Sequence, residues 1–199
     1  HSGGVSRSGV SQVAGFEIVK KISPDVVGHI TGGPIPMPEE DVGKIVVETD
    51  MFLEICSSGN ARMVLSLIRA VKSHGAFDRV LVGTDTPGGT GIIPRGMLRE
   101  VAFLSSVSEI KPEVAIAMAT GNVGRAHGLP MGILEEGKPA DLLLMDRVKG
   151  SVARDALDSF VKGDLPGISV VMIDGEITVG GRSQQTPPPE RVARIEGGA

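Results

Sequence analysis

The amino-acid sequence predicts an α/β fold, with parallel strands joined by crossover helices and then a small β-rich unit. Three observations predict it. Short apolar strands alternate with amphipathic helices through residues 1–128. Two polar residues able to do chemistry, His29 and Asp85, stand where two of those strands end. After Gly128 the helical spacing gives way to turn and hairpin signals.

The elements follow in order. Residues 12–21 read as a helix, ended near Ser23-Pro24. Val26-Val27-Gly28-His29-Ile30 reads as a short buried strand running into the loop Thr31-Gly32-Gly33-Pro34. Pro38-Glu39-Glu40-Asp41 marks a helix start, with acids facing the positive end of the helix dipole. That helix carries Val42, Ile45 and Val46. Residues 51–55 read as a second strand, followed by the loop from Cys56 to Gly59. Asn60 caps a third helix, with Met63, Val64, Leu67, Ile68 and Val71 on one face and Gly75 at its end. Residues 79–83 form a third strand, feeding Thr84-Asp85-Thr86-Pro87-Gly88-Gly89. Helices are expected near 96–106, 112–120 and 123–127. Beyond them lie a turn-rich hairpin at 132–139, a strand at 140–146, a short helix at 152–162, and strands at 168–173 and 176–179. Asp174-Gly175 between those last two is a two-residue hairpin signal. Residues 184–199, with three successive prolines, read as a surface tail or a partner-wrapping segment.

Composition narrows the function classes. Apolar residues make up 41% and charged residues 22% of the 199, enough for a core. Aromatics are 3%, all Phe, so that core must rest on aliphatic side chains, and base-stacking platforms are a poor fit. A net charge of −4 argues against a nucleic-acid or membrane-surface partner. No apolar run approaches the ~18 residues of a membrane span, and no signal peptide is visible. The single Cys56 excludes an internal disulfide, which makes a cytoplasmic location the expectation.

The candidate chemistry sits in the loops after the strands. Two His and one Asp at strand ends, His1, His29 and Asp85, make a plausible metal set, since imidazole and carboxylate suit Zn, Fe or Mn. His1 would join the set if a strand preceded it. For His29 the competing reading is a hydrogen-bonded loop His, and for Asp85 a turn or helix-capping Asp. Three ligands and an open position lower the pKa of bound water, and a nearby carboxylate can take its proton. His74 and His127, at helix ends, read as surface or capping residues. Cys56 reads as a buried spectator. The paired glycines match no phosphate-loop or dinucleotide pattern, so no nucleotide cofactor is expected.

At these residues the chain resembles the amidohydrolase superfamily of metal-dependent hydrolases. Val26-Val27-Gly28-His29, Gly83-Thr84-Asp85 and the run from Ala119-Thr120-Gly121-Asn122 to Gly137-Lys138-Pro139-Ala140-Asp141-Leu142 carry the likeness. Within the superfamily it is most similar to the enamidase branch, through His1-Ser2-Gly3-Gly4, Pro24 to Pro34, Gly88 to Pro94 and Pro166 to Glu176. The resemblance implies the C-terminal half of a (β/α)8 TIM-type barrel, strands five to eight, over residues 1–129. It further implies part of a β-sandwich-type small domain over 130–183 and a proline-rich tail over 184–199. It implies two divalent metals, zinc and iron, with His1 and His29 on one and Asp85 on the other, Asp85 also acting as the catalytic proton acceptor. The implied substrate is a small molecule, a carboxylated lactam such as 6-oxo-tetrahydronicotinate, opened by metal-activated hydroxide in a homo-oligomeric protein. Dihydroorotase-, hydantoinase-, imidazolonepropionase- or dipeptidase-like activity is the alternative within the superfamily, and a non-catalytic half-barrel the alternative outside it. The family's strand-one His-x-His and strand-four Lys have no counterpart here. A full barrel takes ~250 residues. The expectation is therefore a fragment of a longer protein, inactive and poorly soluble alone, with His1 either native or a tag remnant.

Overall fold

A computed structural model describes residues 1–4 and 11–194. Residues 5–10 and the end of the proline-rich tail, 195–199, lie outside the described residues. The chain divides into two compact units: 1–97 with 125–127, and 98–124 with 128–199.

The first unit is α/β, as predicted. Its strands are β1 (Val26–Val27), β2 (Phe52–Cys56) and β3 (Val80–Gly83), parallel and in the order β1-β2-β3. Helix α1 (Phe16–Ile22) precedes β1; α2 (Glu39–Glu48) and α3 (Ala61–His74) connect the strands. Helix α2 buries Val42, Ile45 and Val46, and α3 buries Met63, Val64, Leu67, Ile68 and Val71, the faces that the periodicity picks out. Leu53, Ile55 and Val80 to Val82 are the buried sheet residues. Each such side chain contributes on the order of 1.5–3 kcal/mol by leaving water. Asn60 caps α3 by accepting the Arg62 and Met63 main-chain N–H groups at 3.0 and 3.4 Å, and Gly75 ends it at φ 68°. Helix α2 has no glycine at its end. Instead the Arg79 guanidinium, just before β3, donates to the carbonyls of Val46 and Thr49.

Two boundaries differ from expectation, one because of a distant partner and one because of a local turn. Helix α1 begins at Phe16 rather than residue 12, because the Phe16 N–H donates to Asp41 Oδ2 on α2 at 3.1 Å. Strand β1 stops at Val27, since His29 turns the chain at φ 55°.

The second unit contains α4 (Gly96–Ser106, which begins at its boundary), α5 (Pro112–Ala119), α6 (Gly121–His127, whose last turn belongs to the first unit), α7 (Ala156–Val161) and an antiparallel sheet. That sheet is β4 (Leu142–Asp146), β5 (Gly167–Ile173) and β6 (Glu176–Val179), in that order. Asp174 and Gly175, both at positive φ, make the expected two-residue turn. Residues 132–139 form turns without strand pairing, so the hairpin expected there is absent. Helix α7 starts at Ala156 rather than 152, because Asp155 caps it by accepting the Asp158 N–H at 2.8 Å. The proline-rich segment folds back on its own unit as far as residue 191. Val148 and Pro189 form an antiparallel bridge, and the Glu190 N–H donates to the Arg147 carbonyl at 2.8 Å. The Arg191 guanidinium then donates to both oxygens of the buried Asp146, at 2.7 and 3.2 Å.

Candidate functional site

The C-terminal ends of β1, β2 and β3 bring the candidate residues together. Strand register sets the spacing: Val27 pairs with Leu53, and Cys56 with Gly83. His29 therefore follows β1, Ser58 follows β2 and Asp85 follows β3. His29 and Asp85 both sit in the left-handed region, at φ 55° and 54°. That conformation costs a non-glycine residue roughly 1–2 kcal/mol. It persists where surrounding bonds hold it, and such strain concentrates at functional sites.

For His29 those bonds are visible. Its main-chain N–H donates to Glu54 Oε2 at 3.3 Å. Its carbonyl accepts the Ser2 hydroxyl at 3.2 Å and the Gly32 N–H at 2.8 Å. The next amide, Ile30 N–H, donates to the Glu54 carbonyl at 3.0 Å. Glu54 thus holds the turn at two successive residues, His29 by its side chain and Ile30 by its main chain. Its carboxylate fits because Gly28 and Gly83 flank it: a Cβ on either would stand 3.3 or 3.2 Å from a Glu54 oxygen.

The side chains meet through a serine. His29 is buried, and its Nε2 lies 2.6 Å from Ser58 Oγ. The Ser58 hydroxyl donates to Asp85 Oδ2 at 2.7 Å. The exposed His1 ring stacks on His29, with centroids 4.5 Å apart and planes 15° from parallel. The structure therefore gathers His1, His29 and Asp85, all three sequence candidates, around one place. Glu54 and Ser58 are additions. Glu54 had a signal, a lone acid in the apolar strand Phe52-Leu53-Glu54-Ile55; Ser58 had none. His74 and His127 are exposed at the ends of α3 and α6, and Cys56 is buried, as expected.

In kind, these donors fit a divalent metal. Two imidazoles and a carboxylate suit Zn, Fe or Mn, and His29 Nδ1 is a buried nitrogen without a hydrogen-bond partner among the described residues. In number the set is incomplete. Among the described residues no group of three or more His, Cys, Asp or Glu is arranged to hold a metal ion. The Ser58 hydroxyl stands between His29 and Asp85.

Known proteins resemble this chain in sequence and fold. The family model described as "Amidohydrolase family" matches residues 47–178. Enamidase of Eubacterium barkeri is 46% identical over 195 residues, which are 98% of this chain and 50% of the enamidase chain. A crystal structure of enamidase, described as a new member of the amidohydrolase superfamily, matches with a TM-score of 0.92 at 46% identity, again over 98% of this chain and 50% of the other. The chain thus spans about half the length of the curated relative it matches. A family match over most of the residues, on a parallel sheet whose strand ends carry His29 and Asp85, shows that the chain belongs to the amidohydrolase family.

Proposed function

We propose that this chain is the C-terminal half of a metal-dependent hydrolase that opens a carboxylated cyclic amide. In this reading residues 1–129 supply strands five to eight of a (β/α)8 barrel, 130–183 supply part of a β-sandwich-type domain, and 184–199 form the tail. The observation that carries the reading is the convergence of His29 and Asp85 through Ser58 in a chain 46% identical to enamidase.

His1 and His29 would hold one divalent ion and Asp85 a second, with zinc, iron or both as the metals. When bound, the metal supplies a water whose pKa is brought toward neutrality and an electrophile for the amide carbonyl. The chain's own residues do the rest. Glu54 and Ser2 fix the main chain of His29 on either side, which sets the direction of its ring. Asp85 accepts a proton at Oδ2, the oxygen that already accepts the Ser58 hydroxyl, and passes it to the leaving nitrogen. The exposed loop from Thr86 to Gly91 borders Asp85, where it can meet substrate. The remaining ligands would come from polypeptide outside these residues. No helix among the described residues is long and apolar enough to cross a membrane. A cytoplasmic homo-oligomer acting on a small molecule is part of the proposal.

The test is turnover by the protein expressed with its upstream coding sequence, supplied with 6-oxo-tetrahydronicotinate and with dihydroorotate. Ring opening of the first in clear preference to the second is expected. Preference for dihydroorotate would move the protein to another branch of the family, and no turnover of any cyclic amide would reject the reading.

A further inference from the structure

The bond pattern around Ser58 fixes more than distances. A serine hydroxyl has one proton and can accept as well as donate, whereas a carboxylate only accepts. The Ser58 proton is directed to Asp85 Oδ2, 2.7 Å away. At 2.6 Å from His29 Nε2, the Ser58 oxygen must therefore be the acceptor, and Nε2 must carry the hydrogen. With Nδ1–H instead, two lone pairs would face each other at that distance. Nδ1 agrees: it is buried and has no partner among the described residues, so none of them receives a proton there. The serine lies on the loop after β2, the strand between those that carry His29 and Asp85. It is placed to tie the two together.

The geometry points to Ser58 as a positioning residue: its hydroxyl couples His29 to Asp85 and selects the Nε2–H tautomer of His29. The link to catalysis rests on the metal-site reading proposed above; the tautomer and the coupling do not. A hydroxyl that holds two ligand side chains close together also lowers the cost of gathering them around a pair of neighbouring ions. Outer partners of metal ligands typically set affinity within ~10- to 100-fold.

The experiment is long-range 1H–15N NMR of the imidazoles in the protein expressed with its upstream coding sequence and stripped of metal by chelation, with H29Q used to assign His29. The wild type should show His29 as the Nε2–H tautomer, with a protected Nε2–H cross-peak. In S58A that cross-peak should be lost and the tautomer preference relaxed, and S58T should restore both. Backbone spectra of S58A and S58T report whether the fold is intact, and the restoration by Thr separates a lost hydroxyl from a damaged fold. An Nδ1–H tautomer in the wild type, or an unchanged cross-peak in S58A, overturns the proposal. Zn2+ titration in the same spectra separates the two ideas. His29 resonances that move with Zn2+ in the wild type, and need about 10- to 100-fold more Zn2+ in S58A, support both. His29 resonances that ignore Zn2+ while S58A still loses its cross-peak reject the metal site and leave the Ser58 assignment standing.

Discussion

Replacing Gly89 by Ala should displace Asp85 while leaving the fold intact. A Cβ at position 89 would stand 1.7 Å from Asp85 Oδ2, 2.5 Å from its Cγ and 3.2 Å from Oδ1. Nonbonded heavy atoms settle near 3.5 Å, so the carboxylate must retreat by roughly 1.5–2 Å. The Ser58–Asp85 bond, 2.7 Å now, cannot survive that movement. Misplacement of a reacting group by about 1 Å is enough to cost roughly 100-fold in rate. In the protein expressed with its upstream sequence, kcat/KM on a cyclic amide should fall at least about 100-fold. Stability should barely change. Gly89 does not adopt a positive φ, so Ala fits the backbone, and it lowers the entropy of the unfolded chain by up to about 1 kcal/mol equivalent. Against this stands one exposed hydrogen bond of about 1 kcal/mol. The assay pairs turnover with thermal unfolding of G89A. Full activity at an unchanged melting temperature would refute the placement of Asp85 in the site, whereas a large fall in melting temperature would refute the claim that only the carboxylate moves.

Other consequences concern the frame and the tail. Leu67 is wholly buried on α3, so L67A should lower the unfolding free energy by about 2–5 kcal/mol, read from urea denaturation of the chain. N60A removes the α3 cap and should cost about 1 kcal/mol by the same measurement, with N60D nearly neutral. The Arg191 side chain, joined by main-chain N–H groups of Arg147 and Arg191, holds the Asp146 carboxyl below the usual carboxylate range, and burial opposes this only in part. Because the folded pKa is the lower one, the stability is present above the unfolded value of about 3.9 and is lost as pH falls through the folded value. R191A should therefore lower the urea midpoint at pH 6 and flatten its decline below pH 4. An equally steep decline in R191A would show that the ion pair does not drive it.

The sequence made His29 and Asp85 legible because each follows an apolar run too short for a helix and precedes a glycine-rich loop. It made α3 legible because cap, face and terminator agree along one stretch, from Asn60 to Gly75. It failed where a distant partner decides. Helix α1 starts where Asp41, 25 residues on, receives the Phe16 N–H. The proline-rich segment looks free in sequence, yet Asp146, 45 residues earlier, anchors Arg191. Ser58 was invisible because a loop serine has no pattern of its own. Its role appears only when the parallel register of β1, β2 and β3 sets three loops side by side. Glu54 could have been found. An acid in the middle of a buried parallel strand is costly unless something receives it, and here the His29 main chain does.

The most direct measurement is ring-opening turnover of 6-oxo-tetrahydronicotinate by the protein with its upstream sequence, wild type beside D85N, with bound metal measured in both. Removal of the proton acceptor should reduce kcat by at least about 100-fold. D85N turning over at the wild-type rate with wild-type metal content would contradict the account.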